Sequence, residues 1–199
     1  MAITNIYDNL FISNGKKYRI DPALIKAIAI TESNLKPDTL GDFLSPADRL
    51  IRPGSPARLQ QSQINEIINI KRRFNVKNWP TSFGLMQINL PTFNRINNKL
   101  NLGLKINDLF IPRINIMIGT IILKDKLKRY KNPLRMIIGY NGHYGRFTYS
   151  GIRYLKNVLN KYKRLTGISV NIPFPYQDPV FFILITGVAL ITFQIFKKE

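Results

Sequence analysis

Between Asp21 and Ser33 the chain reads DPALIKAIAITES, and Leu24, Ile25, Ile28 and Ala29 recur at helical spacing. Asp21 can cap the free amides and Pro22 fits the first helical position, so the pattern predicts a helix that starts there. Glu32 lies four residues after Ile28, on or beside the apolar face. Lys36-Pro37 stops the helix, because the residue before a proline is pushed out of the helical region. The same periodicity predicts a short leading helix and turn over residues 1–20 and a helix over Ser62–Phe74. Further helices follow: a short one opened by Pro91, a long one over Asp108–Tyr130, then Pro133–Tyr140 and Gly151–Arg164. Residues 38–62 hold Gly41, Pro46, Pro53, Gly54 and Pro56 with few periodic apolar positions, and read as loop. No stretch alternates as a strand, so the fold class is mainly α.

The pattern changes after residue 166. Residues 167–179 hold three prolines and few charges and read as a semi-rigid linker. Val180–Phe196 is then uninterrupted by charge and flanked by Asp178-Pro179 and Lys197-Lys198. As a helix it would span about 25 Å, somewhat under the ~30 Å hydrocarbon core. Snorkelling lysines and local thinning close that gap. The expectation is a helical domain over 1–166 followed by a single C-terminal transmembrane helix over 180–196; the competing reading is a buried helix of the globular domain. The amino end lacks a basic start followed by a long apolar run and does not read as a secretory signal.

Composition narrows the chemistry. The 199 residues contain no cysteine and one histidine, which disfavours a zinc site, thiolate chemistry and a Ser-His-Asp hydrolase. No cofactor or metal is expected. Lys and Arg total 30 against 11 Asp and Glu, a net charge of +19 that calls for an anionic partner. Nucleic acid, anionic lipid and bacterial cell wall all satisfy it. KRR at 71–73 and KDKLKRYK at 124–131 would be the phosphate contacts of a nucleic-acid-binding protein, but the cations are spread over several helices and no nucleic-acid module is recognised. Glu32 is the candidate for catalysis. A carboxyl beside an apolar face loses hydration, which raises its pKa, and an acid protonated near neutral pH can protonate a sugar's leaving oxygen. An ordinary boundary glutamate paired with a lysine is the other reading of the same residue.

Three segments then line up in order: Glu32-Ser33 at a helix end, Gly84-Leu85-Met86-Gln87-Ile88 leading to Pro91-Thr92, and Gly139-Tyr140-Asn141-Gly142. With these the chain resembles the SLT-type lytic transglycosylases, which share the lysozyme-like helical fold with goose-type lysozyme. The resemblance spans roughly residues 20–165. It departs from the family in two places. Gly139 stands where alanine is usual, a change expected to be harmless, and Glu32 and Gly84 are further apart than usual. Residues 38–80 are therefore an expected insertion that would reshape or cover the substrate cleft.

The resemblance implies cleavage of the bond between N-acetylmuramic acid and N-acetylglucosamine in peptidoglycan glycan strands. Glu32 would be the general acid and then the base that forms a 1,6-anhydro sugar, without the second carboxylate of ordinary glycosidases. It further implies that Ser33 and Gln87 hydrogen-bond near the acid and the substrate, and that the Met86 backbone meets an acetamido group. Tyr140 would orient Glu32, Asn141 would shape the loop or touch sugar, and Gly84 would allow a close backbone approach. Without the motif, Tyr140 is equally a core tyrosine and Met86 a packing residue. His143 is read as a loop residue. Asp38, Asp42 and Asp48 are the carboxylates that could instead activate water, which would make the protein a muramidase; a tethered wall- or nucleic-acid-binding protein without catalysis is the remaining alternative. A wall-cutting enzyme with a carboxyl-terminal anchor suggests a phage protein in an internal virion membrane, opening the wall during genome delivery, or a bacterial tail-anchored component of a secretion apparatus. Partners would be the glycan, the lipid membrane and other virion or secretion proteins.

Overall fold

The computed structural model describes residues 6–41, 59–142 and 144–170. The described residues fall into two compact units, one drawn from 1–31 and 120–199 and the other from 32–119. Among the described residues there are seven α-helices: α1 (Asp8–Tyr18), α2 (Pro22–Ser33), α3 (Gln61–Arg73), α4 (Leu90–Lys99), α5 (Pro112–Tyr130), α6 (Pro133–Tyr140) and α7 (Tyr149–Thr166). Three strands of two residues each join them: β1 (Leu40–Gly41), β2 (Ser82–Phe83) and β3 (Ile88–Asn89).

In the first unit, Asp21 caps α2 as its position predicted. Its Oδ1 accepts from Ala23 N at 2.8 Å, and its main-chain oxygen starts the helical ladder to Ile25. The other carboxylate oxygen accepts from Tyr162 Oη at 2.7 Å, tying α7 to the start of α2. Burial first, and then this bond and the negative charge of Asp21, push the Tyr162 phenol well above its ordinary value of 10.0. Lys26 is buried on α2, and its Nζ pairs with Asp8 Oδ1 at 2.6 Å in the first turn of α1. Phe11, Ile25, Ile28, Leu123, Met136, Ile138, Leu155 and Val158 supply the buried apolar surface. On α7 the apolar positions Leu155, Val158, Leu159 and Tyr162 face inward while Arg153, Lys156, Lys163 and Arg164 face water, so the helix has a clear apolar stripe.

In the second unit, β1–β2–β3 form an antiparallel sheet with Leu40 opposite Phe83 and Phe83 opposite Ile88. The sequence pattern predicts no strand. Two residues per strand are too few for alternation to show, and the sheet is fixed by pairing rather than by side-chain period. Phe110 stacks on Phe74 at 5.2 Å and meets Phe83 edge-on at 5.9 Å, joining the end of α3, the sheet and a 3₁₀ turn over Ile106–Phe110. The long helix expected from Asp108 begins instead at Pro112. Ile111, held extended ahead of the proline, separates it from the 3₁₀ turn.

One part of the expected architecture is corrected. The domain is mainly helical, but no helix among the described residues is long and apolar enough to cross a membrane. The longest, α5, turns charged in its second half with Lys124, Asp125, Lys126, Lys128 and Arg129, and α7 exposes Arg153, Lys156, Lys163 and Arg164. The segment 180–196, most of the linker over 167–179, residues 42–58 of the expected insertion and His143 lie outside the described residues. The described residues therefore form a mainly helical fold with no membrane span among them.

Candidate functional site

Helix α2 ends abruptly. Asn34 and Leu35 both adopt left-handed backbone, φ 53° and 62°, and Lys36 N closes back on Ser33 O at 3.2 Å. Glu32 therefore sits in the last turn, half-buried, one residue before the buried Ser33. The Ser33 hydroxyl donates to Leu85 O at 2.7 Å, across 52 residues of sequence. This bond brings the end of the carboxyl-bearing helix to the turn between β2 and β3.

That turn, Gly84 to Gln87, is held from three sides. Gln87 N donates to Gly84 O at 3.1 Å, closing it, and Gly84 N donates to Thr39 O at 2.9 Å. Gly84 has φ 76°, and a Cβ there would collide with the Asn115 side chain and Leu109 O, so only glycine fits. Gln87 also has positive φ, 45°, unfavourable for a residue with a side chain. Its side chain compensates: Nε2 donates to Thr39 O at 3.1 Å and Gly84 O at 2.9 Å, while Oε1 lies over Gly41 on β1. Both side-chain N–H donors of Gln87 are thus used, one on the turn and one on Thr39, and among the described residues Oε1 accepts no hydrogen bond.

The third support is a residue that the sequence pattern does not single out. Asn115, fully buried on α5, accepts from Met86 N at 2.7 Å and donates to Phe83 O at 2.9 Å and Leu109 O at 2.7 Å. One side chain satisfies three main-chain groups around the turn. The signal available was an amide in the run RINIMIG, flanked by isoleucines at core positions. The Met86 side chain is buried against Gly119, where a Cβ would strike its sulfur, so its thioether packs while its amide is committed to Asn115.

Glu32, Ser33, Gly84, Met86 and Gln87 are thereby gathered in one unit. Tyr140 and Asn141 belong to the other. Tyr140 is the half-buried last residue of α6, Asn141 is exposed at its cap, and Gly142 turns the chain at φ 83°. Gly139 is not the interchangeable small residue expected. A Cβ there would run into the ring of Tyr130, which is flanked on its other edge by Gly145, so the missing methyl makes room for a tyrosine.

Of the three aspartates weighed as second carboxylates, Asp38 is exposed and lies 3.9 Å from Arg73, and Asp42 and Asp48 lie outside the described residues. Among the described residues no group of three or more His, Cys, Asp or Glu could hold a metal ion.

Comparison with known proteins gives the family of the chain. The family model described as the transglycosylase SLT domain matches residues 9–149. A peptidoglycan-binding-like protein of Escherichia coli O157:H7 is 28% identical over 159 residues, covering 79% of this chain and 78% of the relative.

Proposed function

The chain belongs to the transglycosylase SLT domain family, and on that premise we propose that it is a peptidoglycan lytic transglycosylase with Glu32 as its acid and base. The Glu32 carboxyl donates its proton to the glycosidic oxygen between N-acetylmuramic acid and N-acetylglucosamine as the C1–O bond breaks. The resulting carboxylate takes the proton of the muramic acid 6-hydroxyl while that oxygen bonds to C1. The carboxyl is regenerated, a 1,6-anhydro sugar leaves, and no water is consumed. The Ser33–Leu85 bond carries this reading, because it ties the helix end bearing Glu32 to the Gly84–Gln87 turn. In this arrangement Ser33 and Asn115 are positioning residues, and Gln87 Oε1 is the free acceptor beside the turn.

A muramidase would need a second carboxylate to activate water. Asp38, open to solvent near Arg73, is poorly suited to that work. The role in phage genome delivery rested on a carboxyl-terminal anchor; cutting of the wall does not need one. The test is mass spectrometry of muropeptides released from purified peptidoglycan by the full chain and by Glu32→Gln. Anhydro-muramyl products that vanish in the variant are expected. Products one water heavier, with reducing ends, would make it a hydrolase. No release at all would favour a wall-binding role, as the name of the E. coli relative suggests for that protein.

A further inference from the structure

A groove of about 750 Å³ opens between α3, α4 and residues 104–107, wholly within the second unit and sharing no residue with the candidate site. Its size suits a small-molecule or oligomer subsite. Eight of its fifteen lining residues are Asn or Gln, and that composition decides what it can hold. Charge is nearly balanced, Glu66 against Arg95 and Lys105, so an anionic polymer gains little there despite the +19 of the whole chain. No aromatic side chain lines it, so it offers no stacking platform for bases. Pro91, Leu104 and Ile106 are its apolar members, too few for an apolar ligand.

The walls are fixed to one another by the same kind of group that lines them. Gln63 Nε2 donates to Asn94 Oδ1 at 2.8 Å, linking α3 to α4. Asn97 exchanges two bonds with the Leu104 main chain, 2.9 and 3.0 Å, linking α4 to the third wall. Glu66 Oε1 accepts from Asn107 N at 2.7 Å, linking α3 to that wall as well. These clamps leave the exposed Asn69 and Asn98 side chains without hydrogen bonds among the described residues. A held groove that presents unspent amides, each both donor and acceptor, matches a ligand rich in hydroxyl and acetamido groups.

We propose that this groove is a second, non-catalytic subsite for a neutral N-acetylated amino-sugar segment of the glycan strand, a proposal that rests on the wall-directed function. α3 lies inside the 38–80 segment expected to be additional, so the extra chain would supply a holding site rather than only a loop. Binding there keeps the protein on a strand between cleavage events without charge attraction.

The experiment titrates full-length Glu32→Gln with chitotetraose, the β-1,4-linked tetramer of N-acetylglucosamine, and follows backbone and side-chain amide resonances. Saturable shifts at Asn65, Asn69, Asn94 and Asn98 are expected. Adding Asn69→Ala and Asn98→Ala should weaken that binding about tenfold, two exposed hydrogen bonds' worth, with the spectrum still that of a folded protein. Silent groove resonances, or an unchanged affinity in the variant, would overturn the proposal. Shifts caused by a stem peptide and not by the sugar would overturn the glycan assignment. Failure of the catalytic reading shows elsewhere, as absence of released muropeptides from the wild type while the groove still binds sugar.

Discussion

Replacing Asn115 with alanine separates a structural polar residue from an accidental one. The substitution leaves Met86 N–H, Phe83 C=O and Leu109 C=O without their partner in a fully buried place. Each buried group left unsatisfied costs ~1–3 kcal/mol. Taking the low end for all three, because the turn can relax, and adding about 1 kcal/mol for lost packing gives ~4 kcal/mol. With a urea slope of about 2 kcal/mol/M the midpoint should fall by about 2 M. Trp79, the single tryptophan, lies in the same unit, and its fluorescence follows the loss. Asn115→Leu restores the volume and none of the bonds, so its cost should stay within about 1 kcal/mol of the alanine variant. Ser33→Ala, which removes the bond to Leu85 O, should cost ~1–2 kcal/mol. If Asn115→Ala shifts the midpoint no more than Ser33→Ala does, the three bonds do not hold the turn and the account of the site fails.

Other outcomes follow from particular contacts. Gly84→Ala combines positive φ with a clash against Asn115 and Leu109 O and should cost ~3 kcal/mol or more by denaturation, with wall-cutting activity lost; a wild-type midpoint would refute the fit. Gly139→Ala should cost ~1–3 kcal/mol through the Tyr130 ring, and Tyr130→Leu in the same chain should recover part of it. Tyr130→Phe removes a buried hydroxyl that has no hydrogen-bond partner among the described residues and should leave stability unchanged or slightly higher; a clear loss would reveal a partner. The Tyr162 phenol is raised in the folded state, so its contribution is complete below the unfolded value near 10 and is lost as pH rises above it, at up to ~1.4 kcal/mol per pH unit. Wild-type stability should fall more steeply between pH 10 and 11 than that of Tyr162→Phe, and parallel curves would contradict the Tyr162–Asp21 bond.

Helix positions were legible in the chain because each helix buries its own stripe and carries its own stop. Asp21 caps α2 and Pro133 opens α6 with no help from distant residues. Glu32-Ser33, Gly84–Gln87 and Tyr140-Asn141 stood out by resemblance to the family's segments rather than by local pattern. The sequence pattern predicts no strand at 40–41, 82–83 or 88–89, because two residues have no period to read and their pairing partners are about forty residues apart or across a turn. Asn115 reads as a polar slip in an apolar helix until the turn it serves is folded against it. Gly139 reads as a harmless exchange until the Tyr130 ring, nine residues upstream, fills the space a methyl would take. Local pattern settles which backbone forms, because helical hydrogen bonds close within four residues. Which buried polar group meets which, and which methyl has room, depends on residues brought together only by packing, and those contacts were decided by the tertiary structure.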